Sequence, residues 1–457
     1  MFSWLKNPWK RAAGGKQAQQ AAGPRCIARG EHGISRAGIS DHALKVLYRL
    51  NQAGHQAYLV GGGVRDLLLG REPKDFDVAT SASPEEVRRL FRNCRLIGRR
   101  FRLAHVHFGR EIIEVATFRA AHDNGGDAQT NEQGILLRDN VYGSLEEDAW
   151  RRDFTVNALY YTVEDFSVVD YTGGLEDLKA GRLRMIGDPQ QRFREDPVRM
   201  LRAVRFAAKL GFRMDEAVEQ GIRELGYLLE EVSNARLFDE TLKLFLSGHA
   251  VASYELLRHY RLFAHLFPET DACLSEEQDH FPHTLLLHAL ENTDRRIAEQ
   301  KTVTPAFLYA ALLWEPVRRE AALLGARRIP PLQAMQMAAD GVIARQTPRV
   351  QVPKRFSLQS REIWEWQERL ARNTGKRALR LLEQPRFRAA WDFMLLRGQS
   401  GEDLDKLIAW WQALLEAEDT TQQQQLLQKA PVAESQDAPA RRKRRRPRKR
   451  PARTSAS

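Results

Sequence analysis

The spacing of apolar residues predicts short, alternating strands and helices in the first part of the chain. An amphipathic pattern from Ser40 predicts a helix that ends near Gly54. The apolar run 55–60 predicts a strand that leads into three glycines and then a helix. The same patterns predict a strand at 75–79, a helix from Pro84, strands at 104–108 and 112–118, a helix at 154–161 and an edge strand at 167–171. This mixture indicates an α/β or α+β architecture.

The strand pattern disappears after about residue 174. Residues 196–430 show helical periodicity interrupted by Gly and Pro, so we expect an all-helical region there. Residues 1–38 have little periodicity and predict a disordered leader. The helical patterns place five tryptophans among Leu and Ile, which favours helix packing over stacking on RNA bases. These residues are Trp364, Trp366, Trp391, Trp410 and Trp411.

Composition mainly excludes classes of protein. With 457 residues and 43% hydrophobic content, the chain can form two or three domains with a sizeable core. No apolar run reaches the roughly 18–20 residues that a membrane span needs, and the N-terminus lacks the apolar stretch of a signal peptide. The three cysteines are widely spaced and contain no CxxC pair, as is typical of free thiols in a reducing compartment. We therefore expect a cytoplasmic protein without a transmembrane segment.

The formal net charge of +12 is concentrated at the C-terminus. Residues 441–457 contain ten of the 71 Lys and Arg residues and no acid, and without them 61 basic residues face 59 acidic ones. We expect 431–457 to be a disordered polycation. An RNA tether, a protein-docking segment and a solubilising tail are all compatible with it, and a polyanionic substrate would favour the tether.

A glycine turn between a predicted strand and a predicted helix is the first candidate site. Gly61, Gly62 and Gly63 would let the backbone approach a phosphate group closely, beside the free N–H groups of a helix start. Arg65, on the first helical turn, could add a charge-assisted hydrogen bond to a triphosphate. A tight turn without a ligand has the same signature, so the motif alone is weak.

Two aspartates two residues apart are the second candidate site. On a strand, Asp75 and Asp77 would share one face and could bind the divalent cations that phosphoryl transfer uses, with Phe76 packed in the core. A pair of solvated edge-strand acids is the alternative interpretation. Glu114 lies in an otherwise apolar predicted strand, where either a cation partner or an outward orientation would account for it.

Two charged segments, residues 146–158 and 194–206, complete the candidate set. Helical spacing would place polar side chains on one face, where they could contact phosphate and ribose in the first segment and a base edge in the second. An ion-paired helix surface explains both segments equally well. The side chains concerned are Arg152, Asp153 and Asn157 in the first segment and Asp196, Arg199 and Arg202 in the second.

Four of these segments occur in a characteristic order. They are Gly-Gly-Gly-Val-Arg-Asp at 61–66, Asp-Phe-Asp at 75–77, Arg-Arg-Asp-Phe-Thr-Val-Asn-Ala at 151–158 and Glu-Asp-Pro-Val-Arg-Met-Leu-Arg-Ala at 195–203. Together they resemble the signature motifs of the bacterial tRNA nucleotidyltransferase and poly(A) polymerase family, over about residues 40–215. The resemblance implies an α+β fold, in which a polymerase-β-like head with a mixed sheet precedes a helical neck, body and tail.

The resemblance also implies a role for each matching residue. Asp75 and Asp77 would bind two catalytic Mg²⁺ ions, with Glu114 as a third carboxylate and ATP as the substrate. Asp153 matches an acid that is essential in the family, and its place suits ribose contact or arginine positioning better than metal binding. The residues implied to hold the nucleotide are Gly62, Gly63, Arg65, Arg119, Arg152, Asn157, Glu195, Asp196, Arg199 and Arg202, of which Glu195, Asp196 and Arg199 match the neck motif that imitates a template base.

Segments 98–106 and 113–119 look like the poly(A) polymerase branch of the family rather than the CCA-adding branch, and the basic tail fits that branch. The expected activity is template-independent transfer of AMP from ATP to RNA 3′ ends. A CCA-adding tRNA nucleotidyltransferase and a non-catalytic RNA-binding protein are the alternative hypotheses, and nucleotide use would separate them.

We expect a monomer that binds RNA, with RNA-decay or RNA-chaperone proteins as further partners of the tail. The expected divisions are a leader (1–38), head (39–175), neck (176–240), helical body and tail (241–430) and polybasic end (431–457).

Overall fold

The computed structural model describes residues 23–98, 102–120, 129–130, 136–138, 141–276, 284–372, 376–417 and 419–428. Within them a mixed sheet with helices forms the first part, and helices form the rest, which confirms the predicted α+β class. Residues 1–22 of the predicted leader and 431–457 of the predicted basic tail lie outside the described residues.

The strands are short and concentrated before residue 184. They are β1 (Arg25–Ile27), β2 (Ala57–Val60), β3 (Asp77–Thr80), β4 (Cys94–Ile97), β5 (Leu103–Phe108), β6 (Glu111–Thr117), β7 (Gln129–Thr130), β8 (Leu136–Arg138), β9 (Leu159–Tyr161), β10 (Val168–Asp170), β11 (Arg182–Leu183) and β12 (Arg213–Met214). The main sheet of the described head has the order β1-β10-β9-β2-β3-β6-β5-β4. Its neighbours are antiparallel except for the parallel pair β3 and β6, which places Asp77 beside Glu114.

The helices of the head and neck are α1 (Asp41–Gln52), α2 (Gly62–Leu68), α3 (Pro84–Leu90), α4 (Leu145–Arg151), α5 (Gly174–Ala180), α6 (Pro189–Glu195), α7 (Val198–Leu210), α8 (Glu216–Leu225) and α9 (Asn234–Phe245). The later helices are α10 (Ala250–His259), α11 (Leu262–Leu266), α12 (Pro268–Leu274), α13 (Leu285–Ala298), α14 (Pro305–Leu312), α15 (Trp314–Ala326), α16 (Pro331–Gln346), α17 (Lys354–Arg372), α18 (Lys376–Leu382), α19 (Phe387–Gln399), α20 (Asp405–Glu416) and α21 (Thr420–Gln428). Among the described helices, none is both long and apolar enough to cross a membrane.

Helix α1 forms where the amphipathic pattern predicts it. The Ser40 side chain accepts a hydrogen bond from the Ala43 N–H, which satisfies one of the unpaired donors at a helix start. The apolar stripe that includes Val46, Leu47 and Leu50 is fully buried against the sheet.

The predicted leader was wrong from residue 25 onward. Strand β1 pairs with β10, from Arg25 opposite Asp170 to Ile27 opposite Val168, and Ile27 is buried in the core. Since β1 covers β10, the predicted edge strand at 167–171 lies inside the sheet. A strand of three residues is too short to show the alternation of apolar and polar residues that predicts a strand. Strand β1 is therefore recognised from its pairing with β10 and not from its sequence.

The predicted helix at 154–161 was also wrong. Thr155–Asn157 forms a single 3-10 turn, and β9 follows it. All three residues of β9 are buried between β2 and β10. A strand that is buried on both faces reads as a continuous apolar run, which periodicity does not distinguish from a short buried helix.

The core continues from the head into the helical region. Buried apolar residues from Ile27 to Leu396 form one cluster, which also contains Trp364. Trp366, Trp391, Trp410 and Trp411 pack in a second cluster among the last helices. All five tryptophans are at most 6% exposed, which confirms that they pack helices.

Candidate active site

The glycine turn lets the start of α2 lie against the segment that precedes β3. Gly61 has φ of 75°, a conformation that favours glycine, and a Cβ there would lie 3.7 Å from Asp77 Oδ2. A Cβ on Gly63 would lie 3.4 Å from the carbonyl oxygen of Asp75. Gly62 faces Arg65 instead, because its Cβ would lie 3.4 Å from Arg65 Nη2. Gly61 is therefore required by its backbone conformation, and Gly61 and Gly63 place the turn in contact with the two aspartates.

The sequence predicted that the two aspartates share a strand, but they do not. Asp77 is the first residue of β3, whereas Asp75 precedes the strand and is exposed. Their charges nevertheless act on each other. The pKa of Asp77 is raised to about 6, chiefly by burial, then by the negative charges of Glu114 and Asp75, with Arg152 opposing. The charges of Asp75 and Glu114 thus both act on Asp77, which is ionised at an energetic cost.

This cost is what a divalent cation would relieve, so the carboxylates suit a hard metal ion such as Mg²⁺. Within the described ranges, no three His, Cys, Asp or Glu side chains are grouped so that they could hold a metal ion by themselves. A site of two aspartates that needs further oxygens from substrate phosphates and water is typical of Mg²⁺, which keeps several waters and demands few protein ligands.

Glu114 lies next to Asp77 across β3 and β6, but its carboxylate contacts a histidine. Glu114 Oε1 is 3.3 Å from His105 Nε2, and the Glu114 side chain is 48% exposed. His105 lies opposite Glu114 on β5. Sequence reasoning did not single out His105 as a site residue, because only the register between β5 and β6 puts it beside the acid.

Arg152 lies beside the glycine turn, at Gly61. A Cβ on Gly61 would lie 3.9 Å from Arg152 Nη1. Arg152 Nη2 donates to Asp148 Oδ2 at 2.9 Å, and its Nε donates to the Tyr160 hydroxyl at 2.8 Å. Burial would lower the pKa of Arg152, but Tyr160 and Asp148 outweigh it and raise this pKa. Asp148 and Tyr160, which hold the guanidinium in place, were not singled out from the sequence pattern.

Arg119 lies beside Asp148, the acid that pairs with Arg152. It forms an isolated bridge with Tyr142, and its backbone N–H donates to Asp148 Oδ1 at 3.3 Å.

The prediction that Arg65 contacts the triphosphate does not agree with its surroundings. Arg65 is only 2% exposed. Its Nη1 donates to Asn157 Oδ1 at 2.6 Å, and its Nε and Nη2 both donate to Asp66 Oδ1. Arg65 therefore ties α2 to the 3-10 turn at Asn157, which makes it a positioning residue.

Asp153 connects this turn to the neck helix α7. Its Oδ2 accepts from Arg202 Nε at 2.7 Å, and its Oδ1 accepts from the Phe154 N–H and from Asn157 Nδ2. Burial would raise the pKa of Asp153, but Arg202 and these hydrogen bonds outweigh it and lower this pKa to about 2. The arrangement fits arginine positioning, one of the two roles expected for this acid.

The predicted neck residues form an ion-paired group at the junction of α6 and α7. Glu195 Oε2 accepts from Arg192 Nη1 at 2.9 Å and from Arg199 Nη1 at 3.0 Å. Asp196 Oδ2 accepts from Arg236 Nη2 at 2.7 Å. Arg192, which the motif analysis passed over, also donates to the backbone carbonyl of Arg152 at 2.7 Å and so links the neck to the head.

Comparisons with known proteins cover both the head and the helical region. A family model described as "Poly A polymerase head domain" matches residues 57–184. Models described as "Probable RNA and SrmB- binding site of polymerase A" and "Polymerase A arginine-rich C-terminus" match residues 211–274 and 327–450.

Individual relatives separate the two branches of the family. Poly(A) polymerase I of Salmonella typhi is 50% identical over 433 residues, which are 93% of this chain and 92% of that protein. A CCA-adding enzyme of Lactobacillus helveticus is 40% identical over only 214 residues, 47% of this chain and 52% of that protein. A solved tRNA-processing enzyme shares the fold, with a TM-score of 0.55 over 82% of this chain and 92% of its own, at 23% identity. Because the similarity to the first relative extends over nearly the whole of both proteins, the chain belongs to the bacterial poly(A) polymerase I family.

Proposed function

We propose that this chain extends RNA 3′ ends without a template, by transferring AMP from ATP to the 3′-hydroxyl with release of pyrophosphate. The observation that carries the proposal is the placement of Asp75 and Asp77 against the glycine turn, in a chain that matches poly(A) polymerase I over nearly its full length. The CCA-adding alternative has weaker support, since that similarity ends after about half of the chain. The non-catalytic alternative does not explain why Asp77 is ionised at an energetic cost beside Asp75 and Glu114.

In the proposed reaction the 3′-hydroxyl oxygen attacks the α-phosphorus of ATP in line. The new O–P bond replaces the bond from the α-phosphorus to the oxygen that bridges to the β-phosphate, which leaves as part of pyrophosphate, and the hydroxyl proton passes to water. Two Mg²⁺ ions, held by Asp75 and Asp77 with Glu114 as the third carboxylate, would lower the pKa of the hydroxyl and offset the charge of the triphosphate. Gly61, Gly62 and Gly63 would let the backbone of the turn approach phosphate oxygens closely.

The remaining site residues bind or position in this proposal. Arg152 lies beside Gly61 and Asp77, where its positive charge would face the triphosphate. The ion-paired group of Glu195, Asp196 and Arg199 offers both donors and acceptors to the edge of the incoming base. Asp153 and Asn157 connect the head to the neck, and so set the distance between the triphosphate and the base site.

A gel assay of RNA extension tests the function directly. With a generic 3′-hydroxyl RNA, Mg²⁺ and one nucleoside triphosphate at a time, we expect a long ladder with ATP and little extension with CTP, GTP or UTP. Addition of two C and one A, confined to tRNA-like ends, would instead assign the chain to the CCA-adding branch. No extension with any nucleotide would favour an RNA-binding role and contradict the roles proposed for Asp75 and Asp77.

Removal of residues 441–457 is expected to weaken RNA binding without affecting the chemistry. Ten Lys and Arg residues would be lost. Because each phosphate contact on a single strand contributes about 0.7 to the slope of log affinity against log salt, the truncated chain should show a shallower slope. Its extension rate on saturating RNA should match that of the full chain. An unchanged slope, measured by fluorescence anisotropy, would show that the tail does not tether RNA.

We propose further that the protein is a cytoplasmic monomer, and that RNA-decay or RNA-chaperone proteins bind its basic tail. The division into head, neck, and helical body and tail follows the boundaries expected from the sequence at residues 175, 240 and 430.

A further inference from the structure

A cavity of about 590 Å³ lies among the helices of the C-terminal half. Its walls are α13, α14, the loop between them, and α19 with the residues just before it. No residue described for the head or neck lines it. The size lies within the range of small-molecule sites in proteins.

The rim of the cavity is basic. Arg295, Arg296, Lys301 and Arg388 contribute positive charges, and Glu299 and Asp392 contribute negative ones, so two positive charges are in excess. Arg296 Nη2 donates to the backbone carbonyl of Thr302 at 3.2 Å, and the Arg296 charge also acts on the nearby acids Glu299 and Asp392. The Arg388 side chain pairs with Asp392 at 3.1 Å but is 79% exposed, so its remaining donors are accessible.

The floor of the cavity is apolar and aromatic. Phe307, Ala389, Leu395 and Leu396 line it, and Phe307 is held edge-to-face by the buried ring of Phe393. Two amides, Asn292 and Gln399, stand among these groups with the half-buried Asp392. An apolar floor with a few hydrogen-bonding groups and a cationic rim suits a flat heterocycle that carries a phosphate.

We propose that this cavity binds one nucleotide unit, with its base against Phe307 and Leu395 and its phosphate on Arg296 and Arg388. The unit is either a nucleotide of the bound RNA strand or a free nucleotide, since both present the same base and phosphate. The choice of a nucleotide over another phosphorylated ligand rests on the proposed function, because that reaction brings RNA and ATP to this protein. The cavity is then a second nucleotide site in the chain, separate from the head.

A matched pair of arginine variants tests the charge of the site. Arg388→Gln removes a cation from the rim, whereas Arg386→Gln removes one two residues earlier that pairs with Glu362 outside the cavity. Binding of a labelled oligoadenylate to the full chain is measured by anisotropy over a range of salt concentrations, without ATP or Mg²⁺. For Arg388→Gln we expect roughly fivefold weaker binding and a salt dependence shallower by about 0.7, as for the loss of one phosphate contact on a single strand, and for Arg386→Gln a clearly smaller change.

A third variant tests the space for the base while leaving the charge unchanged. Ala389→Phe fills part of the floor, and we expect roughly tenfold weaker binding of the nucleotide.

Equilibrium dialysis with 5′-AMP separates the two sources of the ligand. Weaker oligoadenylate binding with unchanged AMP binding assigns the cavity to the RNA strand, and the opposite result assigns it to a free nucleotide. Each variant is first checked by thermal unfolding.

Equal effects of Arg388→Gln and Arg386→Gln, together with full binding of both ligands by Ala389→Phe, would overturn the proposal. Because binding is measured without ATP, this result is independent of whether the head adds AMP. Conversely, an inactive head with normal oligoadenylate binding would contradict the proposed function and leave the cavity proposal intact.

Discussion

Replacement of Asp77 by Asn is expected to lower the rate of AMP addition by about a thousandfold or more and to make the metal-free protein more stable. The rate should fall because the proposed reaction needs a charged carboxylate at this position to hold Mg²⁺, an effect of several kcal/mol. The stability should rise because the pKa of Asp77 is raised to about 6 in the folded chain. Above this pH the folded chain holds an ionised carboxylate in an unfavourable place, at a cost on the order of 3 kcal/mol.

The sign of the pH dependence follows from the raised pKa. The folded chain binds this proton more tightly than the unfolded chain does, so the contribution of Asp77 to stability improves as the pH falls from 7 towards 5. In Asp77→Asn this improvement should be absent, as urea unfolding of both proteins at pH 5 and pH 7 would reveal. Asp41→Asn, which changes an exposed acid at the start of α1, is the matched control and should leave extension unchanged. More than about a tenth of normal activity in Asp77→Asn would contradict the assigned role.

Replacement of Asp153 by Ala is expected to cost about 3–5 kcal/mol of stability, because it removes one partner of a largely buried ion pair. The Arg202 guanidinium would lose its acceptor, and the Phe154 N–H and Asn157 Nδ2 would lose theirs. Extension should fall as well, since Arg202 lies in the neck helix. Asp153→Asn keeps the shape and one carbonyl acceptor, so it should be less destabilised.

A double-mutant cycle separates this ion pair from a general effect of mutation. Asp153→Ala with Arg202→Met should cost less than the sum of the two single changes, by about 0.5–3 kcal/mol. Glu176→Ala removes the acid of the exposed pair with Arg25 and should stay within about 1 kcal/mol of the parent chain. Because the pKa of Asp153 is about 2 in the folded chain, its stabilisation is present above pH 4 and should be lost as the pH falls towards 2. An Asp153→Ala protein as stable as Glu176→Ala would contradict the role of Asp153 in joining head and neck.

Local sequence patterns were sufficient to predict much of the architecture. The stripe of Val46, Leu47 and Leu50 with its Ser40 cap predicted α1, and the same periodicity predicted a helical region that buries its tryptophans. These features depend on residues within a few turns of each other, which a single sequence displays directly. The glycine turn and the two aspartates were likewise identified as candidates from their spacing.

Pairing between distant segments decided the features that the sequence patterns did not predict, namely two of the strands and the neighbours of Glu114. Strand β1 is recognisable only because β10 lies beside it, and β9 resembled a helix until its burial between two strands was known. Glu114 reaches Asp77 through the parallel register of β3 and β6, and the same sheet brings His105 to Glu114.

The roles of the charged residues show most clearly which features follow from the sequence and which follow from the tertiary structure. From its position after the glycines, Arg65 was expected to bind phosphate, yet the fold buries it against Asp66 and Asn157. Arg152, which was also expected to contact phosphate, lies instead beside Gly61 and Asp77. The sequence by itself determined which residues carry charge, which segments form helices and where the chain must turn. Only the tertiary structure decided which charge meets which, because an ionic partner depends on distance in space and on burial, and neither is a function of separation along the chain.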